Sequence, residues 1–225
     1  MVLTVMLGPF VYGSAQLASR SHAIGPIVAA MVHNNYLLTS IAHKAGALSA
    51  FLFYLRWRGW KFHLRIDWRS TIFAPLLAAV AMGAGILVSC ALDGLVYWLK
   101  PLPGGLLASH HAHSVSGHPH ALHVVWALIV IEPFINACYE EMVFTAYAFH
   151  QFAARRGALF AALVVAFLRM ALHTYKGPLG MIGAGVFSLI FADAYVRYRR
   201  LWSLILAHAL IDFAVFSFFK VIYAR

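Results

Sequence analysis

The amino-acid sequence predicts an all-α protein, a polytopic transmembrane helical bundle of about seven membrane helices. Three observations predict it. First, 63% of the 225 residues are hydrophobic and 11% are charged, against roughly 45–50% and about 25% in a typical soluble domain. Second, the apolar residues run together. Residues 72–99 contain one charged side chain, Asp93, residues 181–196 only Asp193, and residues 201–219 only Asp212. About 20 residues of helix cross the hydrocarbon, and only helices and closed barrels are viable spanning structures. Third, these runs lack the apolar/polar alternation of a barrel strand.

Taken in order, the first span is 2–19. It lacks a basic leading region, so a retained helix is expected rather than a cleaved signal peptide. Residues 24–33 suit a re-entrant or interfacial piece. Further spans are expected at 36–55, 72–99, 121–152, 158–173, 178–196 and 201–222. The stretch 121–152 is too long for one simple span, and its continuation around 147–156 is expected to run into the interface. Residues 56–70 form an interfacial connector, no internal repeat is evident, and 1–225 reads as a single integral membrane domain.

The net charge of +10 sits in short loops between apolar runs. Lipid headgroups and the positive-inside rule account for it, and no nucleic-acid motif is present. Three basic clusters stand out: Arg56, Arg58, Lys61, Arg65 and Arg69; then Arg155 and Arg156; then Arg197, Arg199 and Arg200. Two spans separate each from the next, so all three face one side, which the rule makes cytoplasmic. The loop 101–120 then faces the other side. A multi-pass protein of a bacterial inner (plasma) membrane is expected. Cys90 and Cys138 fall in apolar stretches and read as buried thiols rather than a disulfide.

Among the acidic residues, Glu140, Glu141 and Asp212 lie inside expected spans that also carry histidines. A charge at mid-membrane costs about 2.5–3.5 kcal/mol on insertion scales, so such residues mark functional sites by default. Adjacent carboxylates disfavour double ionisation, which suits a division into acid and base. The competing reading is a structural pair satisfied by Arg, His or backbone groups. His208 and Asp212, four apart on a helix, share a face. Asp212 can orient the His208 ring, or the pair can be a helix–helix hydrogen bond. His173 ends its span, where a histidine is often a satisfied helix-end residue. Arg169 lies one turn earlier on the same face and needs a partner, the glutamate doublet being the obvious one.

The order Glu140-Glu141, then His173, then His208-x-x-x-Asp212 on successive apolar helices resembles the CAAX prenyl protease and bacteriocin-processing family of intramembrane endopeptidases. Its first motif, E-E-x-x-x-R, is matched by Glu140-Glu141-Met142-Val143-Phe144-Thr145. Its second, an aromatic residue followed shortly by His, is matched by Phe167 and His173. Its third, His and a polar residue four on, is matched by His208 and Asp212. The resemblance covers about 121–218. Thr145 stands where the family has Arg, a charge that Arg169 could supply, and Asp212 stands where Asn is common.

The resemblance implies hydrolysis of a peptide bond in a peptide or protein substrate within the lipid membrane. Glu140 would act as general base on a water, with Glu141 sharing its proton or holding the helix partners. His173 would position the water or protonate the leaving amine, and His208, oriented by Asp212, would stabilise the oxyanion. No cofactor is committed. A divalent metal such as zinc on Glu140, His173 and His208 is workable chemistry, but the sequence lacks H-E-x-x-H and the ligands sit on separate helices, which favours a metal-independent site. A family relative without proteolytic activity, acting as a membrane scaffold or partner-binding subunit, is the main alternative, favoured by Thr145. A transporter or proton pathway is a third reading. The histidine-rich stretch with His110, His111, His113, His118, His120 and His123 suits a metal-binding tract or a polar loop. Counting 1.5 Å per residue from the basic clusters puts Glu140 and His173 at roughly 22–24 Å depth and His208 at roughly 10 Å, so the helices must be offset for these residues to meet.

Overall fold

A computed structural model describes residues 34–60, 64, 66–98 and 125–223. The expected span 2–19, the piece 24–33 and the histidine-rich loop lie outside these residues. Every described element is helical: α1 (Asn34–Trp57), α2 (Trp68–Trp98), α3 (Trp126–Glu140), a π-helical segment (Glu141–Ala148), α4 (Phe149–Arg156), α5 (Ala158–Leu172), a 3-10 turn (Thr174–Lys176), α6 (Gly177–Tyr198) and α7 (Leu201–Tyr223).

Local sequence sets the breaks. Asp67 caps α2, its Oδ1 accepting the Ser70 amide at 2.7 Å, which satisfies one of the free amides of the first turn. Gly157 has φ 86° and ψ 167°, a conformation closed to residues with a Cβ. It lets the chain reverse between α4 and α5 without a loop. Arg199 ends α6 in the left-handed region, its amide bonded to the Tyr195 carbonyl at 2.9 Å. Pro75 and Pro133 lie inside α2 and α3, a placement that membrane helices tolerate because neighbours re-satisfy the freed carbonyl.

Each helix sorts its surface. On α5, Ala161, Val165 and Arg169 are buried while Leu159, Leu163 and Phe167 are exposed, two stripes at a spacing of four. On α2 the exposed stripe is Ile72, Leu76, Val80 and Leu87, an apolar face suited to lipid. Two cores result. Phe51, Leu55, Val143, Phe144, Phe149 and Val165 join α1, the α3–α4 helix and α5. Ala74, Ala78, Ala81, Ala137, Phe191, Leu204 and Ala207 join α2, α3, α6 and α7, with small residues that let the backbones approach closely. The helix from Trp126 to Arg156 runs between the two.

Three described helical stretches are long and apolar enough to cross a membrane, Trp68–Leu92, Thr174–Tyr198 and Leu201–Phe218, with Ala158–Leu172 a shorter apolar helix. That is fewer than the seven spans expected. The expected span 2–19 is not described, α5 has 15 residues, and α1 and α3 carry charges within their apolar runs.

Those charges meet. The Lys44 ammonium of α1 is ion-paired with Glu132 of α3, and the Ser40 hydroxyl donates to the same Glu132 oxygen at 2.8 Å. Glu132 is buried, and its Oε2 has no partner among the described residues. Breaking a buried pair by removing one partner costs about 3–5 kcal/mol. Lys44→Met is therefore expected to lower the thermal midpoint in detergent, with partial recovery in Lys44→Met/Glu132→Leu. A single variant as stable as the parent would show the pair to be idle.

Contacts beside the basic clusters set the levels of the helix ends. Arg200 lies 3.8 Å from Asp67, the Trp60 ring meets His150 at 5.1 Å, and Phe149 meets Tyr195 at 6.0 Å. These contacts resolve the depth mismatch. Phe149 is already level with the ends of α1 and α6, so α4 overshoots its neighbours and carries Arg155 and Arg156 beyond them. From that level Glu141 is about 12 Å along its helix and His208 about 10 Å along α7.

Candidate active site

Glu140 and Glu141 straddle the junction where α3 widens into the π-helical segment, a local geometry often found at functional sites. Successive helical residues point about 100° apart, so the two carboxylates enter different surroundings.

Glu141 is fully buried and fully engaged. Its Oε1 accepts from Arg169 Nη2 at 2.6 Å and from His208 Nδ1 at 2.8 Å, and its Oε2 accepts from the Thr145 hydroxyl at 2.6 Å. One carboxylate thus ties the π-helical segment, α5 and α7 together. Thr145 sits one turn after Glu141, and the Arg169 guanidinium lies 3.4 Å from its hydroxyl. The guanidinium of α5 therefore stands beside position 145. Its carbon lies 5.4 Å from the Phe144 ring centroid and 5.3 Å from that of Phe187, so two aromatic faces complete its surroundings.

Glu140 is different. It is buried, and its Oε2 lies 4.0 Å from Arg169 Nη1 with no hydrogen-bond partner among the described residues. Arg169 Nη1 and Nε likewise have none. Buried polar atoms are rarely left unbonded, so this corner has room in its hydrogen bonding for a water or a substrate group.

The histidines are held from behind. His173 ends α5, and its Nδ1 lies 2.8 Å from the Arg169 carbonyl. A carbonyl only accepts, so Nδ1 carries the proton and Nε2 of the neutral ring is left with a lone pair. The Tyr175 ring stacks on it at 5.9 Å. The buried His208 is wedged beside Phe187 and Phe191, with ring centroids at 5.0 and 6.3 Å. Its Nε2 lies 3.5 Å from Asp212 Oδ2. Asp212 is held more closely by Asn136, whose amide donates to that same oxygen at 2.7 Å.

Sequence reasoning overlooked Asn136, Glu132 and Lys44. The signal was there: Glu132, Asn136 and Glu140 follow one another at a spacing of four, one polar stripe on an otherwise apolar helix.

Among the described residues no three His, Cys, Asp or Glu side chains come together as ligands. His208 Nδ1 is bound to Glu141, and its Nε2 is turned toward Asp212 at 3.5 Å.

No curated protein and no solved structure matches the chain. A family model does, and it confirms the resemblance carried by the three motifs. Residues 121–214, the stretch that holds Glu140, Glu141, Thr145, Arg169, His173, His208 and Asp212, match the Rce1-like family, type II CAAX prenyl endopeptidase Rce1-like.

Proposed function

We propose that the protein is an intramembrane endopeptidase in which Glu140 activates water for attack on a peptide carbonyl. The observation that carries this reading is the unequal state of the doublet. Glu141 has every oxygen committed to Arg169, His208 and Thr145, whereas Glu140 keeps a buried oxygen with no partner. A general base needs a free lone pair within reach of the water it deprotonates. The attacking oxygen forms the new C–O bond as its proton passes to Glu140. As the C–N bond breaks, His173 Nε2 takes that proton from Glu140 and passes it to the leaving amine. His208, its Nδ1 bound to Glu141, offers Nε2, which is only 3.5 Å from Asp212, to the charge that develops on the carbonyl oxygen. Glu141 is the positioning carboxylate of the assembly.

In this reading α1, the α3–α4 helix and α5 cross the membrane with α2, α6 and α7, and 2–19 makes the seventh span. The basic end faces the cytoplasm of a bacterial inner membrane. A scaffold without proteolysis is the second reading, because Thr145 replaces the arginine of the family motif.

The test is cleavage of a peptide library by the detergent-purified chain. Wild type is expected to cleave, His208→Ala to lose cleavage, and a chelator to leave it unchanged. Absence of cleavage by wild type would favour the scaffold, and loss with chelator would overturn the metal-independent mechanism.

A further inference from the structure

Lys176 stands next to this site and plays no part in the mechanism above. It closes the 3-10 turn after His173, its amide bonded to the His173 carbonyl at 2.9 Å. Its ammonium lies 5.7 Å from the centroid of Tyr175, the ring that stacks on His173. The stem is laid against the backbone of Gly180. A Cβ at position 180 would fall 2.3 Å from Lys176 Cβ, far inside contact distance, so the glycine is what allows this close approach.

The half-buried Lys176 feels the charges of Asp212 and Glu140 but forms no ion pair with either among the described residues. The other carboxylates of the site are occupied. Glu132 is taken by Lys44, Glu141 by Arg169, and Asp212 by Asn136. A partly desolvated ammonium that no carboxylate meets within hydrogen-bond distance is unfavourable. Here it stands three residues from His173, within the fields of Asp212 and Glu140.

We propose that Lys176 is a specificity-determining residue that takes a carboxylate of the substrate peptide and thereby sets which peptide bond lies at Glu140. The proposal rests on the endopeptidase reading for its consequence. The recognition itself is a binding event and is tested without turnover. An ammonium–carboxylate bond is charge-assisted on both sides, and such bonds make a difference of roughly tenfold to a hundredfold in affinity. The carboxylate has two sources in a peptide, the chain terminus and an acidic side chain.

The experiment uses the full chain carrying Glu140→Gln, which removes both hydrolysis and the nearby charge, with Lys176 intact, Lys176→Met or Lys176→Arg. The probes are three dansyl-labelled mixtures of apolar heptapeptides: free acids, C-terminal amides, and amides containing one internal glutamate. With Lys176 intact, one carboxylate-bearing mixture is expected to bind at least about tenfold more tightly than the plain amides. Which one it is identifies the source. Lys176→Met is expected to abolish the preference and Lys176→Arg to retain it. Equal binding of all three mixtures to the Lys176 protein, undetectable binding included, overturns the proposal, as does a preference that survives Lys176→Met. Failure of the endopeptidase reading shows separately, as absence of cleavage by wild type.

Discussion

Glu140→Gln is expected to reduce peptide cleavage by roughly 10²- to 10⁴-fold, the range that general acid–base groups contribute, while the protein folds as before. Glutamine keeps the volume of the side chain and removes the base. Glu140 has no close partner to lose, its nearest charged neighbour being Arg169 at 4.0 Å, so the thermal midpoint in detergent should barely move. Glu141→Gln makes the contrast. It strips the charge from a carboxylate that accepts three hydrogen bonds in a fully buried position. Stability should fall in that variant, and activity with it. If Glu140→Gln cleaves normally, or if the two substitutions behave alike, the division of labour within the doublet is wrong.

Arg169→Met is expected to destabilise the fold by about 3–5 kcal/mol, the cost of leaving one member of a buried pair without its partner. Both side chains are almost wholly inaccessible, at 1% and 0% exposure, so solvent screening offers no relief. Methionine fills much of the volume between Phe144 and Phe187, which confines the loss mainly to charge. Two second-site changes probe the cause. Glu141→Gln in the Arg169→Met background removes the uncompensated charge and should recover part of the loss. Thr145→Arg in the same background returns a guanidinium to the neighbourhood of Glu141 from the position where the family motif has its arginine. It should recover more, because charge balance and donors return together. Unchanged melting of Arg169→Met, followed in detergent, would sink the argument at its first step.

The helices were legible because their signal is local. Apolar runs bounded by Arg, Gly and Pro mark α2, α5, α6 and α7 to within a few residues. The long stretch 121–152 is helical from Trp126 and continues to Arg156. Its division at Glu141 into a π-helical segment was not legible, since no residue pattern distinguishes that widening from ordinary helix. The doublet itself was visible as a cost, two acids in an apolar setting. What each acid does was not, because the difference lies in partners 28 and 67 residues away in the chain. Asn136 escaped notice for another reason. An uncharged amide carries no large insertion penalty, so it does not stand out, although it holds Asp212. The depth count misplaced His208 because it took all three basic clusters as one plane. Ring contacts such as Phe149 with Tyr195 set the levels instead, and those belong to packing between helices.

The knot at Glu141 also has a consequence for synthesis. Its cation comes from α5 and its histidine from α7, both made later than the helix that bears the carboxylate. When Glu141 leaves the ribosome, neither partner exists. In the membrane arrangement proposed above, a carboxylate alone in hydrocarbon opposes insertion, so the segment around Glu141 would wait at the translocon until Arg169 emerges. The arginine that secures the finished site would then also act as the release signal for its own neighbour. Chains truncated before and after residue 169 should differ sharply in how much of α3 integrates into the bilayer.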